Sequence, residues 1–159
     1  LFALLISFST WGQSMKDLGN KEKIQFFFEK LSKDNMSLVE NFYHPLVDFT
    51  DPIGHIKGSE KIKAYYGNMY KNVKSINFKF TDFHEAGDTV VAIWTMTIET
   101  EQLNGGTPYS VAGNSVIKFD EAGKVIYHRD YFDMGAFIYE RLPVLGFVIK
   151  KIKKRLEAE

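Results

Sequence analysis

A run of polar and titratable side chains, residues 127–133, lies near the end of the chain. Alternation with a period of two predicts a strand there, and it places His128, Asp130 and Phe132 on one face. A carboxylate beside an imidazole on one face of a mainly apolar sheet shifts pKa values and supports proton transfer. Asp130 and His128 are therefore candidate acid/base residues. A structural role is the alternative, with Asp130 paired to Arg129 and His128 satisfied in a pocket wall.

Few other residues offer a reaction centre. The chain has no cysteine, which excludes a thiol nucleophile, a disulfide framework and a thiolate metal site. His44, His55, His84 and Asp82 lack a compact metal-ligand spacing, so we predict no metal. A serine-centred elbow and a phosphate-cradling glycine loop are both missing, and we predict no cofactor.

Helical periodicity dominates the first half of the chain. Apolar residues at spacings of three and four predict helices over residues 20–31 and 60–70. Between them we expect a short helix that opens at Asp34 or Asn35 and stops at Pro45, then a short strand over 46–50. The following Asp51-Pro52-Ile53-Gly54 predicts a turn.

After residue 74 the period changes to two. Four strands are predicted, from residue 76, over 90–101, over 108–119 and over 124–133, joined as an antiparallel meander by turns that contain glycine. A final helix begins near Gly135, with a break at Leu142-Pro143. This order predicts one α+β domain in which helices gather on one side of a curved antiparallel sheet.

Both faces of the strand that starts at Val90 are largely apolar. A sheet that is half exposed to water should have one polar face, so we expect the face with Trp94, Met96 and Ile98 to be covered. A second copy of the chain is the simplest cover, which predicts a homodimer. The C-terminal helix or the first strand is the alternative cover.

Two motifs make the chain recognisable. The sequence Asp51-Pro52-Ile53-Gly54 with Lys57-Gly58-Ser59-Glu60, and the run from His128 to Gly135, resemble the nuclear transport factor two-like superfamily, with its SnoaL-like and limonene-epoxide-hydrolase-like branches closest. The resemblance spans about residues 21–141. It implies a cone-shaped curved antiparallel sheet, three N-terminal helices packed on its concave side and a C-terminal helix. It also implies a dimer through the convex sheet face.

The resemblance also implies roles for individual residues. Asp130 would point into the cone as the acid/base carboxylate, with His128 and Phe132 in the pocket. Epoxide hydrolases carry an Arg-x-Asp pair on an earlier strand, where this sequence has Thr97 and Glu99. The missing arginine counts against epoxide hydrolysis, although Glu99 facing Asp130 would form a carboxylate pair with one raised pKa.

Two further residues complete the predicted site. Asp51, or Asp48, is a second candidate base for a proton shuttle like that of ketosteroid isomerases. Tyr65 could stack on a ligand or belong to the core.

Three functions remain open at this point. The domain could be an isomerase or hydrolase that uses Asp130 on a polyketide-, steroid- or terpenoid-like molecule. It could bind a small apolar ligand without catalysis. It could also be an interaction module that uses the convex sheet face or the basic C-terminal helix, because one fold supports many functions.

Charge and the two chain ends set the remaining expectations. A formal net charge of zero gives no reason to expect a nucleic-acid partner. Residues 1–14 resemble a truncated signal peptide, which predicts export to the periplasm or the medium, whereas a core helix in their place would leave the protein cytoplasmic. Residues 15–141 form the predicted cone domain.

Residues 142–159 form the third predicted segment, a basic amphipathic helix. Its apolar face could pack on its own domain, or the helix could lie on an anionic membrane surface. The apolar residues of that face are Leu145, Val148, Ile149, Ile152 and Leu156.

Overall fold

The computed structural model describes residues 15–157, so the predicted signal peptide lies outside the described residues. The helices are α1 (Asn20–Lys30), α2 (Leu38–Phe42), α3 (Ser59–Lys71), α4 (Met134–Phe137) and α5 (Pro143–Leu156). The strands are β1 (Tyr43–Thr50), β2 (His55–Lys57), β3 (Ser75–Ala86), β4 (Thr89–Glu99), β5 (Tyr109–Phe119) and β6 (Val125–Phe132).

One curved, unclosed sheet contains all six strands in the order β2-β1-β6-β5-β4-β3. The predicted α+β cone with three N-terminal helices and a C-terminal helix is confirmed. Strands β3 to β6 form the expected antiparallel meander. The strand β1 pairs antiparallel with β2 and parallel with β6, and this parallel pair brings the N-terminal half of the chain against the strand that carries Asp130.

The first half of the sheet differs in detail from the sequence-based prediction. The strand β2 (His55–Lys57) was not predicted, and β1 begins at Tyr43, three residues before its own predicted start. The register of β1 with β6 shifts between Tyr43 and Asp48. Pro45 lies within this irregular stretch, where the missing backbone N–H does not interrupt a regular ladder.

The core lies between the concave sheet face and the helices. Ile24, Phe27 and Phe28 recur at spacings of three and one on α1 and are all buried, so the helix presents a continuous apolar stripe. Phe27 stacks on Phe42 of α2 with 4.2 Å between the ring centroids. These contacts fix α1 and α2 against the sheet and so set the shape of the cone interior.

The face of β4 that lines the cone interior is the opposite of the one predicted. Trp94, Met96 and Ile98 are only 3–5% exposed because they face the cone interior, where the helices cover them. The convex face carries Ile93, which is 37% exposed. Since both faces are apolar, the alternation alone could not tell which of them lines the concave side. Assigning the dimer contact to Trp94, Met96 and Ile98 was wrong, and a homodimer through the convex face stays a prediction.

Candidate active site

A narrow pocket opens between the concave sheet face and the helices, with a cavity volume of about 40 Å³. Its wall is mostly aromatic and aliphatic, and a few polar groups converge on it. This composition is typical of small-molecule sites. The lining residues are Phe28, Leu31, Phe49, Asp51, Ile53, Tyr65, Tyr66, Met69, Tyr70, Phe78, Trp94, Met96, Asp130, Phe132 and Phe137.

Asp130 reaches the pocket from the inner face of β6, and its side chain is 15% exposed. Its Oδ1 atom accepts hydrogen bonds from His128 Nε2 at 2.8 Å and from Ser115 Oγ at 2.5 Å. Within residues 15–157, no protein group donates to Oδ2. One carboxylate oxygen is therefore held in place, and the other remains free to accept a hydrogen bond or a proton from a ligand.

His128 is fully buried and connects Asp130 to two tyrosines. Its Nδ1 atom lies 2.7 Å from the Tyr43 hydroxyl, which lies 3.2 Å from the Tyr66 hydroxyl. With Asp130 ionised, the network assigns the Nε2 proton to the bond with Asp130, so Nδ1 accepts from Tyr43. The donors then run in one direction, from Tyr66 through Tyr43 and His128 to Asp130.

Burial keeps Tyr43 and Tyr66, the two tyrosines of this hydrogen-bond network, protonated. Removal from water raises the pKa of Tyr43 and of Tyr66 well above the usual value of 10.0, because the phenolate would lose its hydration. Both hydroxyls therefore stay hydrogen-bond donors at ordinary pH, and they hold the imidazole in one tautomer and one orientation.

A second branch fixes Asp130 from the sheet. Trp94 Nε1 donates to Ser115 Oγ at 2.8 Å, and Ser115 donates in turn to Asp130. Trp94 pairs with Gly113 across β4 and β5, and a Cβ atom added at Gly113 would lie 2.4 Å from the indole ring. Glycine is therefore required here, because only a residue without a side chain lets the indole lie this close to the backbone.

Asp51 approaches the same pocket from the loop after β1. Its Oδ1 atom accepts from the backbone N–H groups of Ile53 and Gly54, both at 2.8 Å, as Asp side chains do in turns. Its Oδ2 atom accepts from the Tyr65 hydroxyl at 2.5 Å. Burial and this hydrogen bond together raise the pKa of Tyr65. Both oxygens of Asp51 are thus already engaged.

Tyr70 is the lining tyrosine whose hydroxyl has no protein partner in the described part of the chain. Burial raises the pKa of this phenol to about 12. Tyr65 donates to Asp51, and Tyr66 is engaged with Tyr43. The Tyr70 hydroxyl is therefore the tyrosine donor that remains available to a ligand.

The structure brings five of the predicted site residues together at the pocket and leaves two outside it. Asp130, Phe132, Tyr65 and Asp51 line the pocket, and His128 lies directly behind Asp130.

The predicted positions of Thr97 and Glu99 are corrected. Thr97 Oγ1 lies 2.9 Å from Ser110 Oγ on the convex face, and Glu99 forms an ion pair with Lys74 at 3.6 Å on the same face. These residues follow the exposed side of β4, so a pair of carboxylates formed by Glu99 and Asp130 is excluded. The alternative ion pair between Arg129 and Asp130 is also absent from the described ion pairs.

Sequence reasoning missed Ser115, Gly113 and Tyr43 as members of the network and misplaced a fourth member, Trp94. Ser115 and Gly113 stand on a stripe of β5 whose other members are large and apolar, and small residues on such a stripe indicate a close approach or a buried hydrogen bond. Trp94 was assigned to the wrong face of β4. Tyr43 gave no local signal, because it meets His128 only through the parallel pairing of β1 with β6.

A second cavity adjoins the pocket. It has a volume of about 140 Å³ and is lined mainly by apolar residues from α3, α4, the strands β3 to β5 and the loops between them. Met69 and Phe137 line both cavities. Because methionine is unbranched and adopts many rotamers, a movement of these two side chains would join the cavities into one longer space.

Within residues 15–157, no group of three or more His, Asp or Glu side chains is placed to hold a metal ion.

The family follows from comparison with known proteins. Residues 24–128 match the model of the SnoaL-like domain. The chain belongs to the SnoaL-like domain family. No curated protein sequence shows significant similarity to it.

Solved structures share the fold of this SnoaL-like chain at low sequence identity. TerC co-crystallised with polyporic acid is 22% identical, with a TM-score of 0.64 over 74% of this chain and 94% of TerC. A protein from Jannaschia described as a SnoaL-like polyketide cyclase is 17% identical, with a TM-score of 0.66 over 75% of this chain and 88% of its own.

A protein from Catenulispora acidiphila with a ketosteroid isomerase-like fold, in complex with trimethylamine, is 16% identical, with a TM-score of 0.62 over 74% of this chain and 87% of its own. At these identities the similarity establishes the SnoaL-like, nuclear transport factor two-like fold.

Proposed function

We propose that the pocket binds a small apolar molecule and that Asp130 transfers a proton to or from it. The observation that carries the proposal is the state of the Asp130 carboxylate. One oxygen is fixed by His128 and Ser115, and the other faces an apolar pocket without a protein donor. A carboxylate held in this way is oriented for general acid/base catalysis.

The reaction class follows from the groups that remain uncommitted. Asp130 Oδ2 can accept a proton from a carbon next to a carbonyl group, and the Tyr70 hydroxyl can donate a hydrogen bond to the carbonyl oxygen as negative charge develops there. Return of the proton from Asp130 to another carbon completes an isomerisation. In a cyclisation the carbanion instead attacks a second carbonyl carbon, the π bond of that carbonyl breaks, and Asp130 returns its proton to the resulting alkoxide oxygen. Substrates of polyketide, steroid or terpenoid type carry such carbonyl groups on apolar frameworks.

His128 acts through Asp130 in this proposal. Its imidazole is shielded from the pocket and holds Oδ1, while Tyr43 fixes its tautomer from behind. We therefore regard His128 and Tyr43 as positioning residues. The similarity in fold to a SnoaL-like polyketide cyclase from Jannaschia, and to TerC co-crystallised with polyporic acid, supports an apolar oxygenated ligand.

The size of the ligand depends on the side chains between the two cavities. A cavity of about 40 Å³ is too small for a polycyclic molecule, since an engineered protein cavity that binds a single benzene ring has a volume of about 150 Å³. Displacement of Met69 and Phe137 would add the neighbouring 140 Å³. We expect Met69→Ala to widen the range of ligands accepted.

Native mass spectrometry of the protein purified from its own host is the first test. We expect a retained small molecule that is lost, or bound at least about fivefold more weakly, in Tyr70→Phe, since a hydrogen bond contributes about 1 kcal/mol. Tyr139→Phe removes an exposed phenol hydroxyl and is the matched control. A ligand retained equally by both variants would contradict the role of Tyr70, and a protein that neither retains nor takes up apolar ketones would contradict the proposed pocket function.

A further inference from the structure

The C-terminal helix α5 faces the domain with a narrow side only. A Cβ atom added at Gly146 would lie 2.4 Å from the Glu140 carbonyl oxygen, so the helix backbone rests directly on the preceding turn. Lys153, two turns further on, forms ion pairs with Glu140 and, at 3.7 Å, with Asp133. Gly146 and Lys153 are seven residues apart and therefore lie on the same side of the helix.

The opposite side of α5 is apolar and exposed to solvent. Val144, Val148, Ile152 and Leu156 follow each other at intervals of four, and their exposed fractions are 80%, 46%, 52% and 78%. We call these four residues the apolar stripe. One expectation from the sequence was that the face with Leu145, Val148, Ile149, Ile152 and Leu156 packs on its own domain, but four of these five side chains, all except Ile149, are 41–78% exposed. Large apolar side chains grouped in this way indicate an interaction surface.

Basic residues border the apolar stripe. Lys151 and Arg155 are also spaced by four and run along its edge, and Lys150 and Lys154 lie beyond them. None of these four is ion-paired to an acidic side chain in the part of the chain that the structure describes. The helix Pro143–Leu156 contains no acidic residue, so all the charged side chains that it carries itself are positive.

We propose that α5 docks the protein on an anionic membrane surface, with the apolar stripe among the lipid headgroups and the basic edge on their phosphates. A basic amphipathic helix binds such a surface through buried apolar area and through attraction to anionic lipids. No helix among the described residues is long and apolar enough to span a bilayer, so the proposed contact lies in the plane of the surface.

Charge decides between a membrane and a second copy of the chain as the occupant. Two copies of α5 joined through their stripes would bring the Lys151 and Arg155 edges near each other, with no acidic side chain on either helix to compensate. Like charges at such a contact disfavour association. An anionic lipid surface covers the stripe and neutralises the edge at the same time.

The docking surface is connected to the pocket wall. Asp133, which contacts Lys153, caps α4 by accepting from the backbone N–H of Gly135 at 2.6 Å. Phe137 at the end of α4 lines the pocket. An apolar molecule dissolved in the membrane would therefore meet the protein on the element next to its pocket, although membrane docking does not depend on the proposed function of that pocket.

Cosedimentation of the full chain with lipid vesicles tests the proposal. We expect binding to vesicles in which phosphatidylglycerol replaces about a third of the phosphatidylcholine, and much weaker binding to phosphatidylcholine alone. Lys151→Gln with Arg155→Gln should reduce the affinity for the anionic vesicles about 30-fold, since each basic residue near the surface contributes about fivefold. Ile152→Ser should reduce it at least about fivefold by removing buried apolar area.

The controls remove the same chemistry from elsewhere on the surface. Lys61→Gln with Lys71→Gln removes two exposed charges from α3, and Leu46→Ser removes a side chain that is 83% exposed. Neither should change vesicle binding more than about twofold. Because every sample is the full chain, the apolar N-terminal run contributes equally to all of them.

Two outcomes would overturn the proposal. One is equal binding of the α5 variants and the controls to anionic vesicles, which would place the membrane contact elsewhere. The other is a lack of vesicle binding together with a dimer that Ile152→Ser dissociates in sedimentation velocity, which would assign the stripe to a second copy of the chain. Loss of binding that is specific to the α5 variants would support the proposal, and the circular dichroism spectrum would verify that each variant is folded.

Discussion

Asp130 and Asp51 line the same pocket but are held in different ways. Asp51 uses both carboxylate oxygens inside the protein, one on the turn after β1 and one on Tyr65. Asp130 uses one oxygen, on His128 and Ser115, and leaves the other to the pocket. Both carboxylates line the cavity, so proximity does not distinguish them. The difference is that, within the residues that the structure describes, only Asp130 has an oxygen without a protein donor. Asp51 holds the turn after β1 in the pocket wall, and Asp130 is available for chemistry.

The largest expected effect tests this division directly. Asp130→Asn should lower proton transfer at least about 100-fold, because the amide cannot accept the proton, while ligand affinity changes little. Asp51→Asn should lower it less than about tenfold, since its carboxylate is committed to the turn and to Tyr65. Uptake of solvent deuterium by the bound ligand, followed by NMR, measures both rates. Equal losses in the two variants would mean that the free oxygen of Asp130 has no special role.

A second prediction concerns the branch that fixes Asp130 through Trp94. Gly113→Ala places a methyl group against the indole, so the free energy of unfolding should fall by about 2 kcal/mol and the bond from Trp94 to Ser115 should break. Gly67→Ala is the control, because nothing lies within 4 Å of a Cβ at Gly67 and alanine favours the helix α3. Urea unfolding measures both values. A Gly113→Ala protein as stable as the parent would show that the indole can move at no cost.

The smallest expected effect is on the pH dependence of the free energy of unfolding, and it distinguishes the buried Tyr43 from the exposed Tyr139. Burial raises the pKa of Tyr43 in the folded protein above that in the unfolded chain, near 10. Above this pH the unfolded chain ionises first, so the free energy of unfolding falls as pH rises. Tyr43→Phe should make that fall shallower by about 1.4 kcal/mol per pH unit, and Tyr139→Phe should not. Urea titrations at several alkaline pH values give the slopes, and an unchanged slope for Tyr43→Phe would contradict the assignment.

The sequence predicted most of the fold because its signals are local. Spacing of Ile24, Phe27 and Phe28 specifies α1, and two-residue alternation with glycine turns specifies the meander β3 to β6. The strand β2 was missed because three residues are too few to establish a period. The parallel pairing of β1 with β6 was missed for a different reason. It joins segments that are far apart in the chain, and the sequence of neither strand contains a pattern that indicates its partner.

The site could be predicted in part. On β6 the alternation grouped His128, Asp130 and Phe132 on one face, and the resemblance to the family directed that face into the cone, where the structure has it. On β4 both faces are apolar, so Thr97 and Glu99 were assigned to the wrong side. Curvature of the sheet decides which face is enclosed, and curvature results from how the whole domain packs.

The parallel contact between β1 and β6 also has a consequence for the order in which the protein folds. Tyr43 and His128 are separated by 85 residues, and closing so long a segment is slow compared with forming a helix or a hairpin. The network around Asp130 therefore cannot form until β6 has been synthesised and has joined β1. A nascent chain that ends before β6 carries Tyr43 and Tyr66 without their partner, and the edges of β1 and β5 that flank β6 are unpaired. Unpaired strand edges are prone to aggregation, so the synthesis of β6 both completes the site and covers two such edges.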